Sequence, residues 1–79
     1  MKSHHDSLKT LGRALRHRRW FKKMSMMDLE KASGVCYQSI INYENGKAQP
    51  TMRNLLKLCD VLELSITLTP NEEINKLTY

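Results

Sequence analysis

Residues 34–46 read Gly34-Val35-Cys36-Tyr37-Gln38-Ser39-Ile40-Ile41-Asn42-Tyr43-Glu44-Asn45-Gly46. A short helix fits residues 37–44, set between a glycine turn at Gly34 and an Asn45-Gly46 stop. It carries too few apolar side chains for a buried helix, yet it holds Tyr37, Tyr43 and the pair Ile40-Ile41. Ile40 and Tyr43 are three residues apart, so they share the face that turns inward. Tyr37, Gln38, Ile41 and Asn42 turn outward, with Ser39 on the border. Such a helix faces something other than water and core.

The flanking segments frame it. Upstream, Ser25-Met26-Met27-Asp28 is a capping-box pattern. It predicts a helix over 26–33, with Leu29 and Ala32 or Ser33 inward and Gly34 as the stop. A longer helix is expected at roughly 7–23, where Leu8, Leu11 and Leu15 repeat at three- and four-residue spacing. Residues 1–6 read as a loose arm. Downstream, Lys47-Ala48-Gln49-Pro50 is a loop, and Thr51 caps a helix over 52–62 with Leu55, Leu58 or Cys59, and Leu62 buried. Met26, Met27 and Met52 read as gap-filling core residues.

After Glu63 the period changes. Leu64-Ser65-Ile66-Thr67-Leu68-Thr69 alternates apolar and hydroxyl residues and closes at Pro70, a strand signal that occurs once. A lone strand needs a partner, and a second copy across a two-fold axis supplies one. Leu64, Ile66 and Leu68 would then form a dimer strand; the alternative is an unpaired extension along the core. Residues 71–79 read as a polar tail.

The chain has 79 residues, a formal charge of +5 and a pI near 9.5, which fits one modest domain with an anionic partner. Lys9, Arg13, Arg16, Arg18, Arg19, Lys22 and Lys23 form an acid-free run, either a DNA-directed surface or a solvated helix face. Two distant cysteines, Cys36 and Cys59, make no disulfide framework and favour a reducing cytoplasm. No stretch is long and apolar enough to span a membrane, and residues 1–10 lack the apolar core of a signal peptide. His4, His5, His17 and the cysteines show no metal-ligand spacing. No nucleophile–base pair, carboxylate dyad or phosphate loop points to an enzyme.

Leu11-Gly12, Leu15-Arg16, Arg19, Ser25, Leu29, Ser33-Gly34-Val35, Ile40, Tyr43-Glu44-Asn45-Gly46, Pro50-Thr51, Leu55, Leu58 and Leu62 form an ordered set. Over roughly residues 8–66 this set resembles the Xre/Cro-type helix-turn-helix family of phage and bacterial repressors. The resemblance implies an all-α, lambda-repressor-like bundle of four helices across 7–70, with the C-terminal strand at 64–69. It implies that helix 37–44 enters the major groove of double-stranded DNA. There Tyr37, Gln38, Ser39, Ile41 and Asn42 would meet base edges. A carboxamide at Gln38 or Asn42 can donate and accept together against adenine, and Ile41 suits a thymine methyl. Tyr37 fits a phosphate as well as a base. Ser25, Asn45, Lys47 and Arg53 are implied phosphate contacts, and Arg19 with Glu44 an implied clamp on the reading helix.

Some positions depart from the family pattern. Met26 replaces the usual glutamine, Glu30 a small residue, and Cys36 a hydroxyl cap. A thiol caps poorly; Cys36 reads as a small buried side chain, with redox sensing as the sharper alternative. Trp20 and Phe21 fall off the leucine face. They either pack on the arm or tail or form a protein-contact patch. The segment Leu62-Glu63-Leu64-Ser65-Ile66-Thr67-Leu68-Thr69-Pro70 looks like that of HipB-like antitoxins. That likeness implies a cytoplasmic homodimer on a two-fold-related operator, repressing its own operon and holding a kinase-like toxin, with no cofactor. A phage- or plasmid-type repressor, and an interaction module that does not read DNA, are the alternatives.

Overall fold

The computed structural model describes residues 4–66, with side chains from Ser7 onward. Four helices follow in order: α1 (His4–Phe21), α2 (Met26–Ser33), α3 (Tyr37–Glu44) and α4 (Met52–Leu62). α1 packs on α3 and α4, and α2 packs on the same two helices. The helices close around Leu15, Leu29, Val35, Ile40, Tyr43, Leu58 and Leu62.

Local chemistry sets the boundaries of α2 to α4. The Ser25 hydroxyl accepts the Asp28 N–H at 3.0 Å, and the Asp28 carboxylate accepts the Ser25 N–H at 2.9 Å. That is the reciprocal box the sequence predicts. Gly34 ends α2 with φ of +79°, a left-handed value that L side chains resist. Thr51 caps α4 by accepting from the Asn54 N–H at 3.1 Å.

Several expectations need correction. α1 starts at His4, inside the expected arm, and it stops at Phe21 rather than Lys23. Its end is a Schellman turn: the Met24 N–H reaches Arg19 O at 3.0 Å and the Lys23 N–H reaches Trp20 O at 2.9 Å. Lys23, at φ of +57°, occupies the position glycine usually takes. Met27 and Met52 are exposed rather than core, because their positions on α2 and α4 face solvent. Met24 and Met26 do pack against the core. In α2, Leu29 is buried and Ser33 half-buried while Ala32 is exposed, so Ser33 and not Ala32 is the second inward position. Leu55 packs at the core's edge while Leu58, Cys59 and Leu62 are buried.

Beyond α4, Leu64 packs on the core and its N–H reaches Cys59 O at 2.9 Å. Residues 64–66 carry no strand pairing. Leu68, the remainder of the expected strand and the 71–79 tail lie outside the described residues.

Candidate nucleic-acid interface

α3 buries Ile40 and Tyr43 and leaves Tyr37 and Gln38 in the open. Ser39, Ile41 and Asn42 are half-covered. Gln38 and Asn42 are four residues apart, as are Tyr37 and Ile41, so the outer face carries two adjacent rows. One row is amide, able to donate and accept at once; the other is aromatic then aliphatic.

A buried ionic lock fixes this helix. The Glu44 side chain is wholly buried and accepts from Arg19 Nε at 2.7 Å and Nη2 at 2.9 Å. Arg19 Nη1 also donates to Met24 O at 2.9 Å, so the guanidinium ties α3 to the α1–α2 turn. Hydrogen bonding to Glu44 raises the Arg19 pKa against the opposing effect of burial, so the guanidinium keeps its charge. The Arg19–Glu44 clamp expected from the sequence is present.

Arg16 is a second clamp, one the sequence does not announce. Its Nη2 donates to Asn45 Oδ1 at 2.6 Å and to Glu44 O at 3.3 Å, while Nε approaches Glu44 Oε1 at 3.4 Å. A signal for it does exist: Arg16 and Arg19 are three residues apart and share a helix face. Gly12 explains how α1 comes close enough. A Cβ there would lie 2.4 Å from Tyr43 O and 2.6 Å from Glu44 O, so only a bare backbone fits against the end of α3.

The start of α3 is held in an unexpected way. Cys36 is exposed, not buried, and its side chain caps nothing. The Tyr37 N–H donates instead to Glu30 Oε2 at 2.7 Å. Glu30 therefore supplies, from α2, the acceptor that the thiol at position 36 lacks. The turn between the helices is braced separately: the Ser33 hydroxyl donates to Leu29 O at 2.6 Å and accepts the Val35 N–H at 3.1 Å.

Ser25, Asn45, Lys47 and Arg53 are all exposed. Trp20 and Phe21 are 56% and 73% exposed, with Trp20 beside the His17 ring and the Arg16 guanidinium; the tail they are expected to meet lies outside the described residues. Arg18 stacks over the Phe21 ring at 4.7 Å and donates to Leu62 O at 2.7 Å. Cys59 is buried in the core, and that burial raises its thiol pKa. Among the described residues, no cluster of His, Cys, Asp and Glu could hold a metal ion, and no helix is long and apolar enough to cross a membrane.

The model of the Helix-turn-helix family matches residues 22–68. The HTH-type transcriptional regulator DicA of Escherichia coli (strain K12) is 36% identical over 58 residues, which cover 73% of this chain and 43% of DicA. This chain thus spans less than half the length of that relative. Among solved structures, the restriction-modification controller protein C.AhdI from Aeromonas hydrophila superposes with a TM-score of 0.72 at 28% identity, over 76% of this chain and 91% of that one.

Proposed function

This chain belongs to the Xre/Cro-type helix-turn-helix family, and on that premise we propose that it is a sequence-specific DNA-binding transcriptional repressor. One observation carries the reading. α3 is clamped by a buried ionic lock while Tyr37, Gln38 and the edges of Ser39, Ile41 and Asn42 stay accessible. A rigid helix with an accessible polar face suits readout of base edges, for which each good bidentate pair contributes about 1–3 kcal/mol of discrimination. Ser25, Asn45, Lys47 and Arg53 flank it as phosphate contacts that set register.

The working unit is a homodimer on a two-fold-related operator, its two reading helices about 34–36 Å apart or a multiple of that. The alternating stretch 64–69 is the proposed dimer strand, with Leu64, Ile66 and Leu68 as its apolar positions. The finer reading is a cytoplasmic autorepressor that acts as the antitoxin to a kinase-like toxin. It rests on the alternating 64–69 stretch, and the exposed Trp20–Phe21 pair is the surface a protein partner would take. That same pair supports the alternative of an interaction module that does not read DNA.

The test is binding to the DNA upstream of its own gene against scrambled DNA of equal length, across a salt series. The repressor reading expects selective binding that weakens steeply with salt as counterions are released. Weak binding without preference would reject it in favour of the interaction module.

A further inference from the structure

Between α1 and the end of α3 lies a cleft lined by Lys9, Arg13, Arg16, Glu44 and Asn45. The three cations follow one another at four- and three-residue spacing, so they stack along one side of α1. The carboxylate adds little negative field, because Glu44 is buried and already shared by Arg19 and Arg16. Lys9 and Arg13 have no ion pair among the described residues. The Lys9 stem lies beside the loop that leaves α3: a Cβ built on Gly46 would come 2.9 Å from Lys9 Cγ. Arg16 orients the Asn45 amide. A guanidinium only donates, so the amide oxygen must face it at 2.6 Å, and the amide NH2 is left as a donor.

We infer that this cleft seats a backbone phosphate of the bound DNA, with Lys9 and Arg13 as its charges and the Asn45 amide as its hydrogen-bond donor. The inference rests on the proposed DNA reading. α3 spans about 12 Å at 1.5 Å per residue, close to the width of about 12 Å of the major groove. With Gln38 near the base edges, the Asn45 end of α3 reaches the wall of the groove, where the backbone runs. The simpler role for these cations is to complement the negative end of the α3 dipole. That role predicts a change in thermal stability and none in salt dependence.

The experiment compares the full chain with Lys9→Gln, Arg13→Gln and the double variant. Both side chains are exposed, so folding is retained and is checked by thermal melts. Affinities for the upstream DNA and for scrambled DNA are measured from low to moderate salt. Removing one phosphate-binding cation should flatten the slope of log K against log salt by about 0.9, equally on both DNAs. An unchanged slope overturns the inference, whether or not the melting point moves. A parallel titration with inorganic phosphate, followed through the Asn45 amide resonance, separates the sources. A response to free phosphate with an unchanged DNA slope means a small-anion seat and also overturns it. If the wild type prefers neither DNA yet the double variant still flattens both slopes, the cleft stands and base reading is what fails.

Discussion

Replacing Glu44 with leucine removes the acceptor that holds both clamp arginines. Its carboxylate takes two Arg19 hydrogen bonds, at 2.7 and 2.9 Å, and the Arg19 side chain is only 8% exposed. Breaking a buried pair by removing one partner costs about 3–5 kcal/mol, because a charge is left uncompensated. Arg19 keeps its bond to Met24 O, and Arg16, 30% exposed, keeps its bonds to Asn45 Oδ1 and the Glu44 backbone O. The loss should therefore fall near the lower bound, about 3 kcal/mol. A domain of 79 residues has a total stability of about 4–12 kcal/mol, so this is a large share of it. Arg19→Met combined with Glu44→Leu replaces the pair by apolar side chains of similar bulk, and most of the loss should return. Urea unfolding of the wild type, both single variants and the double variant gives the coupling energy directly. A loss below about 1 kcal/mol for Glu44→Leu, or a double variant as unstable as the sum of the singles, would refute a buried lock.

Other changes should read out as follows. Glu30→Ala should destabilise by about 1 kcal/mol through loss of the α3 cap. Cys36→Ser in that background should restore most of the loss in urea melts, while Cys36→Ser alone adds little; no rescue would mean Glu30 acts otherwise. Lys23→Gly should raise stability by about 1 kcal/mol by relieving the left-handed backbone at the Schellman turn; a lower urea midpoint would contradict that. The Asp28 pKa is lowered by hydrogen bonds from the Ser25 backbone and side chain. A depressed carboxylate stabilises above its unfolded pKa, and its contribution is lost as pH falls through the folded value. Stability should therefore decline on the acid side of 3.8, the ordinary aspartate value, and Asp28→Asn should shrink that decline; an unchanged pH profile in the variant would remove the capping box from it.

The parts of the fold legible in the sequence are those fixed by local chemistry. Ser25 with Asp28, Gly34 and Thr51 mark ends whose signals sit within a few residues of the boundary, and α2, α3 and α4 match their expected spans. The start of α1 is not legible in this way, because a helix can propagate through residues without any cap signal, one hydrogen bond per residue. Glu30 is legible only as an oddity. Its use as a cap for Tyr37 depends on how α2 packs beside α3, and no fixed spacing encodes that. Gly12 carries a signal, a lone glycine within a helical pattern, but what it approaches is set by the tertiary fold. The exposure of Met27 and Met52 follows from the same cause. Apolar character gives a tendency to burial, and the position on the helix decides the outcome.

The decisive measurement is a comparison of wild type, Gln38→Ala and Asn42→Ala for affinity to the upstream DNA and to scrambled DNA at one fixed salt concentration. If α3 reads bases, each variant loses about 1–3 kcal/mol on the upstream DNA and little on the scrambled DNA. Equal losses on both, or none on either, would contradict base reading by this helix.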